Sequence, residues 1–446
     1  MKLKNFFAVA LAGLAFTACN NDDVPGAGTG AEEATTYIGL TIQLPKGSVT
    51  KAADTEATTA ETKLTNLKVY CWKDGALGMG TPTPVDIAGG ATDKGNNTYE
   101  VTAAIKASVG KNNLFVLANT SEDLTLSDVT TPNAIEKTLA ALSTGTDGFI
   151  MYSDKITVLE NVEQAKKTDV EAGSVAANQA TVKLRRAVAK VSVTSALGDH
   201  STGIADLANN GKIYDIKWSV VNQPTKLFPV IKMLNASGDF VASNVVSPYD
   251  AFETATAAIA LPTSTDAASV YCKENVHGAE PYTGKNTTAV NVEGVFAPGA
   301  EKYISNVEAV EEGNYTITRG VADMNKGDDF YVLKTTDNNL TAGNFFNQAG
   351  ADAYATLKTK TVAELFNAYT GGKCYWAIWI NDGNAESPAY GVLRNHVYNM
   401  NIKSIAAPGY PNFPDEDAPI ASDTWIQVSI DVEAWTSKDM GEQELK

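Results

Sequence analysis

Two stretches near opposite ends of the chain carry the same alternation. Ile38, Leu40, Ile42 and Leu44 are separated by Gly39, Thr41 and Gln43, and Ile426, Val428, Ile430, Val432 and Ala434 by Gln427, Ser429, Asp431 and Glu433. A period of two places apolar side chains on one face of a β-strand and polar ones on the other. Each stretch is therefore expected to be a strand with one face for a core. Further short β-rich runs lie between them, at residues 67–72, 113–118, 155–159, 187–194, 213–221, 315–318, 330–334 and 375–380. Turn residues such as Lys73-Asp74-Gly75, Asn381-Asp382-Gly383 and Pro408-Gly409 divide them. Two short helices are expected. One opens at Asn133, with Ile135, Leu139 and Leu142 on one face; the other opens at Thr361 with Glu364 three residues on, followed by Val362, Leu365, Phe366 and Tyr369 at helical spacing. Strands without regular helical alternation predict a mainly antiparallel β architecture of the sandwich type, with helices on loops. The small, polar run 173–179 before a new strand predicts a domain break within 176–186.

The remaining composition narrows the function. At 446 residues, the chain is long enough for two or three domains, each with its own core. A net charge of −17 and the lack of any Lys/Arg-rich block argue against nucleic acid as a partner. Only three histidines occur, His200, His277 and His396, and no nucleophile elbow, Walker loop, zinc-protease helix or dinucleotide fingerprint is present. Cys272 and His277 are near in sequence, but such a pair needs a third group to orient it. The acidic clusters Asp415-Glu416-Asp417 and Asp328-Asp329 lack the spacing of a calcium loop and read as solvated turns. Trp376 and Trp379, three apart in a strand, face opposite sides and make no joint platform for a sugar. No catalytic residue, metal ligand or cofactor is expected.

The N-terminus sets the compartment. After Lys2 and Lys4 comes the apolar run 6–16, too short to span a bilayer, then Thr17-Ala18-Cys19. That order is a lipobox: a lipoprotein signal peptidase would cut before Cys19, and its thiol would carry diacylglycerol. The alternative is an ordinary signal peptide with a coincidental cysteine. Residues 20–33 are acidic and Gly-rich and read as a tether. Cys71, Cys272 and Cys374 have no C-x-x-C partner; they are either buried free thiols or include one disulfide whose pair the sequence leaves open.

The segment 46–63 is polar, rich in Thr and Ala, and carries Lys46, Lys51 and Lys63. It is accessible to a trypsin-like protease, and a cut there frees the first strand and leaves a gap in its sheet. Main-chain pairing is independent of sequence and alternate pockets read only apolar side chains, so a groove that holds one end strand can accept the other.

On several motifs the chain resembles the fimbrillins of Bacteroidales type V pili, most closely the major shaft subunits of short fimbriae. These motifs are the lipobox, the first strand, Lys46-Gly-Ser-Val-Thr-Lys51-Ala, Arg185-Arg186-Ala-Val-Ala-Lys190-Val and Ile213-Tyr-Asp-Ile-Lys-Trp218. Nearer the C-terminus they are Tyr375-Trp-Ala-Ile-Trp-Ile-Asn381, Leu393-Arg394-Asn395-His396-Val-Tyr398, Ile402-Lys403-Ser404-Ile405 and the last strand ending at Trp435. The resemblance implies two tandem transthyretin-like antiparallel β-sandwich domains. It divides the chain into a lipoprotein signal peptide (1–18), a lipidated tether with a removable first strand (19–51), an N-terminal domain (52–186) and a C-terminal domain (187–446) with its donor region at 422–446. It implies a precursor lipidated at Cys19 in the outer membrane, cut by a surface protease, and then a subunit of an extracellular fimbrium supporting adhesion. The strand bearing Ile38, Leu40, Ile42 and Leu44 vacates a groove; Ile426, Val428, Ile430, Val432 and Trp435 of a neighbouring copy fill it. Family shaft subunits are usually cut after arginine, whereas here Lys51 precedes Ala52, with Lys46 as the alternative, which implies a different protease specificity. The partners implied are other copies of the chain, accessory pilus subunits and host or bacterial receptors. An anchor or tip subunit and a glycan-binding surface lipoprotein are the rival readings.

Overall fold

The computed structural model describes residues 35–44, 61, 63–95, 98–130, 135–136, 139–142, 148–201, 203–205, 210–229, 252–253, 255–262, 268–275, 282–310, 314–341, 344–381, 390–414, 420 and 426–434. They are mainly β-strand with a few short helices. No described helix is long and apolar enough to cross a membrane.

The first sheet is built from β1 (Thr35–Gln43), β2 (Asn66–Lys73), β3 (Thr98–Val101), β4 (Ile105–Ser108), β5 (Gly110–Ala118), β6 (Met151–Ser153) and β7 (Gln179–Arg186). Their order across the sheet is β2, β5, β6, β7, β1, β3, with β4 also paired to β1. The first strand in sequence thus lies inside the sheet. One core packs on this sheet, and its buried residues run from Ile38 to Leu184.

Two facing sheets follow. β8 (Val188–Ser195), β10 (Ala268–Lys273), β18 (His396–Ile405) and β19 (Ile426–Ala434) form one, in the order β10, β8, β18, β19; β9 (Gly211–Val221), β11 (Ala289–Pro298) and β17 (Lys373–Trp379) form the other. Val191, Val193, Tyr398, Met400 and Ile402 of the first meet Trp218, Val220, Val292, Trp376 and Ile378 of the second in a core whose first residue is Ala189. The first of these cores ends at Leu184 and the second begins at Ala189. The stretch 176–186, expected to hold a break, contributes Ala180, Val182 and Leu184 to the first core.

A third unit interrupts the second. β12 (Tyr303–Ala309), β13 (Tyr315–Arg319), β14 (Phe330–Leu333), β15 (Phe345–Phe346) and β16 (Phe366–Tyr369) make a five-stranded sheet in the order β13, β12, β15, β14, β16. Helix α1 (Gln348–Lys358) covers one face, with Tyr354 buried against Ile304, Phe346 and Phe366. Helix α2 (Val362–Leu365) starts with the expected capping box between Thr361 and Glu364 but ends after one turn, and Phe366 onward is strand. Of the helix expected from Asn133, which itself lies outside the described residues, Leu139–Leu142 is helical, whereas Ile135 and Glu136 pair with Leu227 and Lys226. The strand expected at 155–159 runs two residues later, as Thr157–Val162. Among the described residues three pairings are parallel, β1 with β7, β8 with β18 and β12 with β15, so the fold is mixed within a mainly antiparallel frame.

Candidate functional site

β1 has neighbours on both sides. It runs parallel to β7, with Gly39 opposite Gln179 and Gln43 opposite Lys183. On its other side residues 35–38 pair antiparallel with β4 and residues 41–43 with β3. Ile38, Leu40, Ile42 and Leu44 are 0, 2, 0 and 4% exposed. They pack with Leu67, Val69, Leu114, Val116, Val182 and Leu184. Burying four aliphatic side chains contributes about 6–12 kcal/mol, comparable to the whole net stability of a typical domain. Withdrawal of β1 would leave a slot between β7 and β3/β4, with unpaired N–H and C=O groups along both walls and an apolar floor.

The start of β1 is held by polar groups that the sequence did not single out. Thr36 Oγ1 is buried, donates to Glu163 O at 2.7 Å and accepts from Ala165 N at 3.1 Å. Asn178 Nδ2 donates to Tyr37 O and to Glu163 O, both at 2.9 Å. On the face away from the core, Tyr37 packs with Ala165 and Val170. Gly39 is required by close approach: a Cβ there would meet Gln179 Oε1 at 2.2 Å, and the Gln179 amide is held by Val170 O at 2.9 Å. A lone Asn before a strand and a Gln at its first position carry no periodic signal.

Cys19, Lys46, Lys51, Ala52 and Trp435 lie outside the described residues. Inside the segment 46–63, ten residues after Lys51, Glu61 is buried. Its Oε1 accepts from Lys190 Nζ at 3.0 Å and from Tyr271 OH at 2.6 Å. Its backbone O accepts from Arg186 Nε at 2.6 Å, and Arg186 Nη1 donates to Asn395 Oδ1 at 3.1 Å. Burial pulls the Arg186 guanidinium down to about 10, with Glu61 acting against it, so it stays charged at neutral pH. Burial, then the hydrogen bond to Glu61, raises Tyr271. Glu61 therefore ties the C-terminal end of that segment to β7, β8 and β10.

β19 is placed in the opposite way to β1. Among the described residues it pairs antiparallel with β18 alone, His396 opposite Ala434 and Ile405 opposite Ile426, and forms the edge of its sheet. Ile426, Val428, Ile430 and Val432 all fall on this strand.

The other residues singled out in the sequence have structural surroundings. Cys71, Cys272 and Cys374 are free thiols. Burial pushes Cys71 and Cys272 up to about 12 and Cys374 higher still, so none is a ready thiolate. His277 and residues 415–417 lie outside the described residues. Asp328 Oδ2 accepts from Asn325 N at 2.9 Å and Asp329 Oδ1 from Gly371 N at 2.6 Å, so each carboxylate holds a turn. Trp376 and Trp379 are buried in different cores.

Family comparison meets this geometry at its edges. The model described as major fimbrial subunit protein (FimA) matches residues 36–186, which run from the second residue of β1 to the last of β7. The model described as major fimbrial subunit protein type IV, fimbrillin, C-terminal, matches residues 367–440, which include β17, β18 and β19. The chain belongs to the fimbrillin family. The third unit of this fimbrillin falls mostly between the two matched stretches. No curated protein matches the chain. Among solved structures, a fimbrilin from Porphyromonas gingivalis W83 is 15% identical, covering 90% of this chain and 98% of that one, with a TM-score of 0.46. A putative cell adhesion protein from Parabacteroides distasonis ATCC 8503 is 13% identical over 90% and 98%, at 0.45. The tip fimbrial protein Mfa3 from Porphyromonas gingivalis, with a C-terminal truncation, is 13% identical over 90% and 100%, at 0.39.

Proposed function

We propose that this fimbrillin is a shaft-type pilus subunit, made as a lipidated precursor and polymerised by exchange of a strand. Cys19 carries the lipid that holds the precursor at the outer membrane. A trypsin-like surface protease cuts after Lys51, so that the subunit begins at Ala52, with Lys46 as the alternative site. β1 then leaves with its tether. The terminal strand of the next copy enters the slot, with Ile426, Val428, Ile430 and Val432 in place of Ile38, Leu40, Ile42 and Leu44, and Trp435 beyond them. Two tandem sandwich domains, 52–186 and 187–446, carry the two halves of the exchange, and the role is structural rather than enzymatic.

The observation that carries this reading is the interior position of β1, paired on both sides and buried on four alternate side chains, directly before the lysine-bearing segment. A strand so placed is costly to lose and is replaceable only by another strand of the same pattern. β19 has the pattern and only one neighbour to give up. Glu61 keeps the rest of the subunit anchored on the far side of the cut. Such a contact is head-to-tail and does not close, so it builds an open filament. Release requires the whole ladder to break at once, which makes the filament kinetically durable. The test compares Val428→Asp with Ser429→Asp by ladder formation on a gel. The first puts a charge into an apolar slot at a cost of several kcal/mol and abolishes the ladder; the second faces away from the core and polymerises. Ladders from both variants equal to wild type would overturn the reading.

A further inference from the structure

The third unit leaves one face of its sheet open. α1 covers the face bearing Ile304, Tyr331, Leu333, Phe346 and Phe366. On the opposite face Phe345, Val332 and Asn367 form a cross-strand row. The inner part of that face, Phe330, Phe345 and Tyr369, packs on Phe296 of the second core. The rest borders a cleft of about 650 Å³, whose other wall is Ala407-Pro408-Gly409 beyond β18. This volume lies within the range of small-molecule sites.

The cleft is rigid on both walls. Tyr369 OH donates to Gly409 O at 2.7 Å and Trp376 Nε1 to Ala407 O at 3.1 Å. Tyr375 and Tyr410 exchange backbone hydrogen bonds at 2.9 and 2.7 Å, which seats the loop on β17. A Cβ at Gly409 would meet Tyr375 O at 2.0 Å, so the loop is pressed to the limit that glycine allows.

Its charge is out of character with the protein. In a chain of net charge −17, this cleft is bordered by Lys302, Arg319 and Lys334 against one carboxylate, Glu301. Among the described residues none of the three cations makes an ion pair. Arg319 Nη1 donates to Glu301 backbone O at 3.2 Å and Lys334 Nζ to Ala363 O at 2.7 Å, which orients both and leaves most of their N–H donors unused. Asn344 and Asn367 add amides beside them; Asn344 Oδ1 accepts from Thr341 N at 3.1 Å, and its NH₂ faces no partner among the described residues.

The geometry points to a binding site for an acidic saccharide, with a carboxylate held by Arg319, Lys334 and Lys302 and ring hydroxyls by the amides of Asn344 and Asn367. Paired cation and amide donors fit an oligomer that alternates carboxylate with hydroxyl, and the pocket is a cleft rather than a strand-length groove for peptide. The aromatic rings bordering it are committed to the core, so binding is polar and weakens with salt.

Isothermal titration of the full chain with trigalacturonate, and with maltotriose as the neutral counterpart, tests the assignment. Trigalacturonate should bind and maltotriose should not. Each exposed contact is worth about two- to fivefold, so Lys302→Gln, Arg319→Gln and Lys334→Gln together should weaken binding by about tenfold or more, while the melting temperature stays at the wild-type value. Lys94→Gln, at an exposed lysine in the turn before β3, should bind as wild type. No heat with trigalacturonate, equal binding of maltotriose, or binding untouched by the triple variant would each overturn the proposal. A hexaglutamate peptide binding more tightly than trigalacturonate would overturn it too, by making the cleft a site for acidic protein.

Discussion

Replacing Leu40 with alanine separates the precursor from the polymer. Leu40 is 2% exposed in the middle of β1, opposite Ala180 of β7. Large-to-small changes at such positions cost about 2–5 kcal/mol, and the upper half of that range applies where neighbours cannot close the gap. Val182 and Leu184 on β7 and Val101 on β3 are themselves fixed in the ladder around it. In the purified precursor, a loss of about 3 kcal/mol lowers the urea midpoint by about 1–3 M. If β1 departs during assembly, the same substitution is absent from the filament, and the temperature at which the gel ladder collapses stays at the wild-type value. Both quantities can be read on the same preparation before and after protease treatment. A ladder that collapses as much earlier as the precursor is destabilised would show that β1 remains in the assembled subunit, and strand exchange would fall with it.

Further outcomes concern anchoring, processing and the charged clusters. Cys19→Ala should abolish labelled-palmitate incorporation and surface assembly; equal labelling of mutant and wild type refutes lipidation there. N-terminal sequencing of subunits taken from surface filaments should return Ala52 first, and subunits still starting at Cys19 would contradict processing. Glu61→Ala strips the carboxylate from buried Lys190 and should cost about 3–5 kcal/mol in thermal unfolding, whereas Glu61→Gln, which keeps an acceptor, should cost less. Hydrogen bonds from Lys358 and Tyr354 hold Asp337 at about 2 against the ordinary 3.8. A depressed acid adds stability above its unfolded value and loses it as pH falls through the folded one. The melting-temperature gap between wild type and Asp337→Asn should therefore shrink from pH 4 toward pH 2; a gap constant with pH refutes the assignment.

The strands most legible in the sequence were those whose apolar residues alternate along their whole length, β1 and β19. Their alternation reflects a constraint imposed by a single face, which survives without knowledge of the partner strand. Position within the sheet is a different matter: nothing local in Thr35–Gln43 says that it lies between β7 and β3/β4, because those partners are remote in the chain. The third unit was hidden for two reasons. β15 is two residues long, too short for any period. α1 buries Gly350, Ala351 and Ala355 beside Tyr354, small residues without a hydrophobic stripe. The reason lies in packing, since a Cβ at Gly350 would meet Ile304 O at 2.2 Å. Val362, Leu365, Phe366 and Tyr369 misled in the opposite direction. Their spacing suits a helix, but Phe366 and Tyr369 also satisfy two different cores from opposite faces of β16, and tertiary burial decided the outcome. Of the candidate site, the apolar residues of both end strands were readable; Thr36, Asn178 and Glu61 were not, because buried polar groups announce themselves only through their partners.

The parallel pairing of β1 with β7 also sets a folding order. A parallel neighbour cannot be supplied by a hairpin, and here it comes from residues 179–183. One wall of the place that β1 fills is therefore complete only when almost the entire first core has been delivered, and closing so long a loop makes that pairing a slow step. Everything from β2 to β7 has the opportunity to take up its arrangement around a vacancy before β1 arrives.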